Sequence, residues 1–406
     1  MIKKIKKIKK TLQKLLWWNI GMMLPLSAYG AIGTTPISQS VGDALGAFVA
    51  SGNAPAVLVD VNNNLNALAD QNTRNRQLYN LAPELNAALT QMSQLAFVRG
   101  LHRVNHRFDE FGTPSGYVAG DTPISPDSAI WMRAQGTSAK QQIKGEFAGF
   151  HGDVGGVEIG IERTFDRQNK VGADLSFLSI GIDPRDFGIS EHDIESFQTE
   201  VYGNYDFEAL PVYLEGNLSA AFNRYHSRRH IISGGATRDS KSSYHGWQGG
   251  ARVELGYMWG VEKLKITPVA GLTYMHTHYD AYKETSADSL NLRVKLDDTN
   301  LLRSSIGFRS VYSGGQYGEV TVMPAVYVLW SHDLHREKSD AEANFVAGGP
   351  SFVLKGANPK RDSIEAGFHI TLYNGHGFNY STNYHYERRR DFHSNSVWLK
   401  MQYEWV

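Results

Sequence analysis

The sequence predicts an all-β transmembrane protein, a twelve-stranded antiparallel β-barrel of the bacterial outer-membrane type, and three observations carry this prediction. From about residue 129 to the end, apolar and polar residues alternate with a period of two, the period of a half-buried strand. Soluble strands average about 5–6 residues, but these runs last ten or more, which is enough to cross a bilayer at a tilt. Nearly every run carries charges on its polar face, which indicates a polar interior inside an apolar surface.

Twelve such runs can be marked between residues 129 and 406. In one of them Leu210, Val212, Leu214 and Leu218 are apolar and the residues between them are polar or amphipathic, so we expect these four to face lipid. The runs start near residues 129, 147, 169, 193, 210, 242, 262, 288, 316, 351, 377 and 394. The charges on the polar faces are Arg133, Glu200, Glu215, Arg252, Glu254, Lys295, Arg309 and Glu365. The aromatic residues expected in the interfacial girdles are Tyr257, Trp259, Tyr274, Trp330, Trp398 and Trp405.

Composition excludes several other classes of protein. The 406 residues include 41 Lys+Arg and 41 Asp+Glu, so the overall charge offers no reason to expect nucleic-acid binding. Because the chain has no Cys, a disulfide scaffold, a thiolate zinc site, an iron–sulfur cluster and a cysteine nucleophile are excluded. No apolar run of 18 residues follows the first thirty residues, which argues against a helical membrane bundle.

The first thirty residues have the pattern of a secretory signal peptide. They contain seven Lys and no acidic residue, then an apolar stretch over 15–28, then small residues at Ala28 and Gly30. This order predicts cleavage between Gly30 and Ala31 and therefore export from the cytoplasm. Since seven of the 41 basic residues would be removed, the exported chain would hold 34 basic against 41 acidic residues, a net charge of −7.

Three segments separate the signal peptide from the predicted barrel at 129–406. Residues 31–82 show weak periodicity and few aromatic residues, and we interpret them as a short exported segment or linker. From Pro83 to about residue 110 apolar residues recur at helical spacing and basic residues collect at the far end, which predicts a helix over 83–110. Residues 111–128 contain several Pro and Gly and are predicted to form a loop.

The chain from about Pro83 onward resembles the translocator domain of Gram-negative autotransporters, the type V secretion proteins. The order and spacing of the matching elements are more specific than any one of them. They are Trp131-Met-Arg133 with Gly136, Gly155-Gly-Val-Glu-Ile-Gly160, Tyr282-Lys-Glu284, Ser289-Leu-Asn-Leu292, Leu302-Arg-Ser304, Trp330-Ser-His-Asp333, Phe345, Ser351-Phe352 and Arg361-Asp362.

The resemblance implies a specific plan. Such proteins have a twelve-stranded barrel in the outer membrane, a helix through its pore, and an N-terminal passenger that is carried to the cell surface. The implied partners are outer-membrane lipid, the barrel-assembly machinery and periplasmic chaperones, and the barrel is expected to be monomeric, without cofactor, without nucleic acid and without enzymatic activity. Residues 31–82 would then be a passenger remnant or linker.

Charges on the helix are expected to pair inside the pore, because buried charges are costly when unpaired. The helix carries Arg99, Arg103 and Arg107. The strand acids available to them are Glu200, Glu215, Glu254 and Glu365, and the sequence leaves open which acid meets which arginine.

Two features depart from the family pattern. Only about fifty residues lie between the predicted signal peptide and the predicted helix, whereas family members usually carry passengers of several hundred. The last strand of the family normally ends on an aromatic residue, but here Val406 follows Trp405. The C-terminal assembly signal is therefore expected on the face formed by Leu399, Met401, Tyr403 and Trp405.

Two alternatives to a translocator and one candidate metal site stay open on the residues alone. A barrel without passenger could act as an adhesin or as a pore. A barrel hydrolase could use an acid–histidine pair at the rim, for which His332 and Asp333 are the candidates. His276 and His278 lie on one face of a strand and could form the edge of a metal site, but a site needs three or four ligands.

Overall fold

The computed structural model describes most of the chain. Residues 1–30, with the expected cleavage site between Gly30 and Ala31, lie outside the described residues. The same is true of Arg103, Arg107 and Val406, and of all but the last residue of the predicted loop 111–128. The described ranges are 33–83, 87–101, 128–143, 147–165, 169–185, 190–207, 209–261, 263–313, 315–318, 320–374 and 377–405.

Twelve antiparallel strands form a closed barrel within these residues, which confirms the predicted fold class. They are β1 (Ser128–Gln141), β2 (Gly149–Phe165), β3 (Asn169–Arg185), β4 (Ser190–Asp206), β5 (Val212–Ser233), β6 (Ala236–Tyr257), β8 (Leu264–Tyr279), β11 (Thr299–Tyr312), β13 (Val320–Arg336), β16 (Asp362–Tyr373), β17 (Phe378–Arg389) and β18 (Phe392–Trp405). Strand β1 pairs with β2 on one side and with β18 on the other, from Ser128↔Trp405 to Gln141↔Phe392. Closure matters because an open edge in hydrocarbon would leave backbone groups without partners.

The two ends of the barrel differ. At one end the strands are joined by short turns, two of which carry the small strands β7 (Trp259–Val261) and β12 (Gly315–Tyr317). At the other end lie the two longest connections between described barrel strands, residues 280–298 and 337–361. We call these the short-turn end and the long-loop end. Strand β1 starts and β18 finishes at the short-turn end.

The apolar residues of the alternating runs face outward, as predicted. Leu214 and Leu218 are 39% and 65% exposed on the outer surface, whereas Tyr213 and Asn217, each the residue before one of these leucines, are buried. One girdle residue was predicted on the wrong side: Trp398 is only 7% exposed and faces the lumen, where its ring lies 5.5 Å from the Arg133 guanidinium. The outward-facing residues of β18 are odd-numbered, so the even-numbered Trp398 points into the lumen.

Two of the twelve predicted runs belong to a different sheet. The runs near 288 and 351 contribute β10 (Leu292–Leu296) and β15 (Phe352–Leu354), and the barrel strands in their places are β11 and β16. Strands β10 and β15 lie in the two long connections with β9 (Tyr282–Lys283) and β14 (Ala341–Phe345), in the order β15-β14-β10-β9. Lys295 on β10 is therefore exposed instead of facing the lumen. Alternation identifies a half-buried strand but not the core against which it is buried.

Four helices precede the barrel in the described chain. They are α1 (Pro36–Ala50), α2 (Ala56–Ala67), α3 (Gln71–Tyr79) and α4 (Ala87–Leu101). Helix α1 begins with Pro at its first position, where the missing N–H costs nothing, and Asp70 caps α3 by accepting a hydrogen bond of 2.8 Å from Thr73 N. Helices α1–α3 lie in the segment that we interpreted as a passenger remnant or linker. None of the described helices is both long and apolar enough to cross a membrane.

Helices α1–α3 pack onto the four-stranded sheet and the tip of the β5–β6 hairpin, and we call this unit the cap. The helices and the sheet share one apolar core. The fully or almost fully buried members include Val41, Leu45, Phe48, Leu58 and Leu65 from the helices and Leu292, Val294, Phe345, Phe352 and Leu354 from the sheet. Because so small a segment cannot bury a core alone, the helices and the long loops depend on each other.

Candidate functional site in the barrel lumen

Helix α4 lies inside the barrel and is the described part of the helix predicted over 83–110. Two strands approach it closely at glycines. A Cβ at Gly152 of β2 would lie 2.7 Å from Cε of Met92, and a Cβ at Gly250 of β6 would lie 2.7 Å from Cε1 of Phe97. Any larger residue at these positions would push the helix away from the wall. The lumen is thus shaped to hold this helix.

Polar contacts fix α4 from several sides. Tyr279 on β8 donates to Oγ1 of Thr90 over 3.1 Å, and Nε2 of Gln94 donates to Oγ1 of Thr299 on β11 over 3.2 Å. Near the end of the helix, Nδ2 of Asn217 donates to the carbonyl oxygen of Leu101 over 2.7 Å. This contact satisfies one of the carbonyl groups that a helix terminus leaves without an internal partner.

Arg99 carries the charged contacts of α4. Its Nη2 donates to Oε2 of Glu387 over 2.8 Å and to Oγ of Ser394 over 3.1 Å, and its Nη1 contacts His385 and lies 3.7 Å from Oε2 of Glu365. The acids predicted from the sequence include Glu365 but not Glu387. Strand parity could have found it, because odd-numbered residues of β17 face the lumen.

The other predicted lumen acids have other neighbours. Glu254 lies 2.6 Å from Arg252 and 2.6 Å from Arg309, both on strands. Glu200 accepts a hydrogen bond of 3.1 Å from Asn217, the same side chain that binds the end of α4. Glu215 is half-buried on β5 and stands opposite Glu254 in the strand register.

His332 and Asp333 do not form the acid–histidine pair that the rim-hydrolase alternative requires. His332 and Asp333 are consecutive on β13 and point to opposite sides of the wall. Asp333 is fully buried in the lumen, whereas Nδ1 of His332 lies outside at 2.8 Å from Oδ1 of Asp362. General acid–base work requires both groups on one substrate, and this geometry does not provide it.

The other rim histidines lie on the outer face of β8. Nδ1 of His276 lies 3.0 Å from Oδ1 of Asn300, and Nδ1 of His278 lies 2.8 Å from Oδ1 of Asp298. No group of three or more His, Asp or Glu side chains in the described part of the chain is arranged to hold a metal ion.

Buried and charged contacts tie the cap to the barrel. Arg229 on β5 forms a salt bridge of 2.6 Å with Glu284 and donates to the carbonyl oxygen of Asn80 after α3 over 2.8 Å.

Within the second long loop, contacts of Asp340 hold the loop together. Burial raises the pKa of this carboxyl group. The hydrogen bonds from Lys355 at 2.7 Å and from the backbone N–H of Gly356 at 2.9 Å more than offset this, so the pKa of Asp340 lies below its ordinary value.

A closed twelve-stranded barrel whose lumen holds a helix defines a class of outer-membrane translocator domains. Residues 130–385 match the family profile of the autotransporter β-domain, which is more than half of the chain. The chain belongs to the autotransporter β-domain family, and its location is the Gram-negative outer membrane.

Curated relatives are longer proteins. Outer membrane protein B of Rickettsia prowazekii is 18% identical over 301 residues, which cover 72% of this chain and 18% of that protein. Outer membrane protein A of Rickettsia conorii is 22% identical over 295 residues, or 69% and 14% of the two chains. The chain therefore spans less than a fifth of the length of these two relatives. An extracellular serine protease of Serratia marcescens is 20% identical over 250 residues, or 61% and 23%.

Two solved structures share the fold. The translocator domain of the autotransporter NalP from Neisseria meningitidis superposes with a TM-score of 0.61 at 15% identity, covering 80% of this chain and 100% of that chain. The β domain of the Bordetella autotransporter BrkA gives a TM-score of 0.50 at 16% identity, covering 69% of this chain and all of the other.

Proposed function

We propose that the barrel carries the segment before it across the outer membrane, keeps α4 in the lumen as a plug, and holds α1–α3 at the cell surface as the cap. The observation that carries this proposal is the path of the chain. Helices α1–α3 pack at the long-loop end, α4 occupies the lumen, and β1 starts at the short-turn end. In outer-membrane barrels long loops face outward and short turns face the periplasm, so the path runs from the surface inward.

The shared core of the cap explains why the exported segment would stay outside. Phe48 and Leu45 are almost fully buried against the sheet formed by the long loops. Pulling the helices back through the lumen would expose such residues to water, at about 1.5–3 kcal/mol for each large apolar side chain. Folding at the surface therefore opposes return to the periplasm.

The geometry favours a translocator that is not an enzyme over the alternatives. His332 and Asp333 lie on opposite sides of the wall, which argues against the rim hydrolase. With α4 in the lumen and the cap above it, the protein is a poor candidate for an open solute pore. We also propose that the barrel is monomeric and that the assembly machinery, after escort by periplasmic chaperones, recognises the outer face of β18.

Because the chain has no Cys, single-cysteine labelling can test the placement of its two ends. Asn53→Cys lies in the exposed connection between α1 and α2, and Lys263→Cys lies in an exposed turn at the short-turn end. A membrane-impermeant maleimide should label the first in intact cells and the second only after the cells are broken. Glu191→Cys, on the exposed outer side of β4 near the long-loop end, is the matched control. Labelling of Glu191→Cys without labelling of Asn53→Cys in intact cells would contradict the proposal.

A further inference from the structure

One side of the lumen contains a cavity between α4 and strands β11 to β18. Four arginines line it: Arg99, Arg303, Arg336 and Arg389. All four are mostly buried. This polar side of the lumen contrasts with the opposite side, where α4 packs through Met92 and Phe97.

Three of these guanidinium groups surround a single carboxylate. Asp333 lies 2.7 Å from Arg303, 2.7 Å from Arg336 and 3.1 Å from Arg389. The remaining acids are Glu387, which binds Arg99 and Arg389, and Glu365 beside Arg99. His385 accepts from Arg99, so we count it as neutral.

The charges of this cluster do not balance. Four arginines face three carboxylates, which leaves one positive charge in excess among the described groups. Buried charges without a counter-charge are costly, and an anion of one negative charge would remove the excess.

The arginines also have N–H groups to spare. Among the described residues, Arg303 uses only Nε in its contacts with protein atoms, Arg336 uses Nε and Nη2, and Arg389 uses Nε and Nη1. The other Nη atoms of these three side chains remain available at the cavity. Planar guanidinium groups bind tetrahedral oxyanions by paired hydrogen bonds, which is why arginine predominates in phosphate sites.

A second cavity adjoins this one toward the long-loop end. The second cavity shares Arg389 and Phe392 with the first and is also lined by Lys360 and Asp391 at the long-loop end.

We propose that this arginine cluster is a binding site for one small inorganic oxyanion of the phosphate or sulfate type. The site lies beside the plug and needs neither translocation nor the cap helices for its chemistry, so it stands apart from the proposed function. The bound anion neutralises the excess charge and links α4, through Arg99, to the wall formed by β11, β13 and β17.

Titration calorimetry on the full chain folded in detergent tests this site, with inorganic phosphate as the probe and ionic strength held constant with chloride. We expect saturable binding of about one phosphate per chain. Arg336→Gln removes the excess charge but leaves Asp333 two arginine partners, and it should weaken binding by about tenfold or more, the effect of one lost charge-assisted hydrogen bond. Glu387→Gln raises the excess to two and should tighten binding, a gain that misfolding cannot imitate.

Arg224→Gln is the matched control, because Arg224 pairs with Glu195 on the exposed outer face and should leave phosphate binding unchanged. A shift in gel mobility on boiling shows that each variant is folded. Absence of saturable binding in the wild type would overturn the proposal. So would equal phosphate affinity in the wild type, Arg336→Gln and Glu387→Gln, or a loss of binding in Arg224→Gln as large as that in Arg336→Gln.

Discussion

At the scale of single residues, consecutive side chains along a barrel strand point alternately to the lipid and to the lumen. Leu218 is exposed outside and Asn217 is buried inside, and the same alternation separates His332 from Asp333. Sequence reasoning placed Leu218 correctly because it compared a whole run of residues. It misplaced Trp398 because it judged an aromatic residue by its nearness to a strand end, when the parity of Leu399 and Met401 already assigned it to the lumen.

The outward placement of Leu218 predicts the cost of a charge there. Leu218→Arg puts a guanidinium on the apolar band of the barrel and should lower the free energy of unfolding into urea from lipid vesicles by about 2–4 kcal/mol. Ser243→Arg is the control, since Ser243 is also outward-facing but lies beyond Phe222 toward the long-loop end, and it should cost about 0–1 kcal/mol. Equal costs for the two substitutions would contradict this orientation.

At the scale of elements, the sequence revealed α4 but not α1–α3. Helix α4 has apolar residues at regular helical spacing because it packs against barrel walls on most sides. Helix α2 contains a run of three Asn and packs with only part of one face, so its pattern is weak even though Leu58 and Leu65 are fully buried. Its partners outside the helical segment are the tip of the β5–β6 hairpin at Gly234 and the turn Asp288–Leu290, both about 170 residues or more away along the chain. A local sequence pattern does not reveal contacts at such separations.

The plug has a measurable electrical consequence. Removing residues 31–110 should leave a folded barrel, since the β1–β18 ladder closes without α4, and should produce a larger and steadier pore in single-channel recordings. Removing only residues 33–83 takes away the cap helices, keeps α4, and should leave conductance close to that of the intact protein. If the longer deletion conducts no better than the intact protein, α4 does not block the lumen.

At the scale of the whole molecule, closure of the barrel depends on its last strand. Strand β18 pairs with both β17 and β1, and its outer face presents Leu399, Met401, Tyr403 and Trp405 to the membrane. The count of twelve strands followed from sequence, although the assignment of β10 and β15 did not. Charge pairing in the lumen could not be predicted in detail, because it depends on the register between strands and on how α4 is rotated.

The outer face of β18 should be required for assembly. Replacing Tyr403 and Trp405 together by Ser should strongly reduce the fraction of protein that shows a boiling-dependent shift in gel mobility in outer membranes. Deleting Val406, which follows this face, should leave that fraction nearly unchanged. Loss of assembly on deletion of Val406 alone would show that the signal is read in a different register.

The shared core of the cap also bears on inheritance and engineering. Phe48 packs against the backbone of Gly349, where an added Cβ would lie 2.6 Å from its ring, and Gly234 at the tip of the β5–β6 hairpin meets Val61 in the same way. Segments some 170 and 300 residues apart therefore pack so closely that a single added methyl group would disturb the contact. An exchange of the exported segment with that of another barrel would have to bring the hairpin tip and both long loops with it, so recombination near residue 83 alone should give mismatched chimaeras.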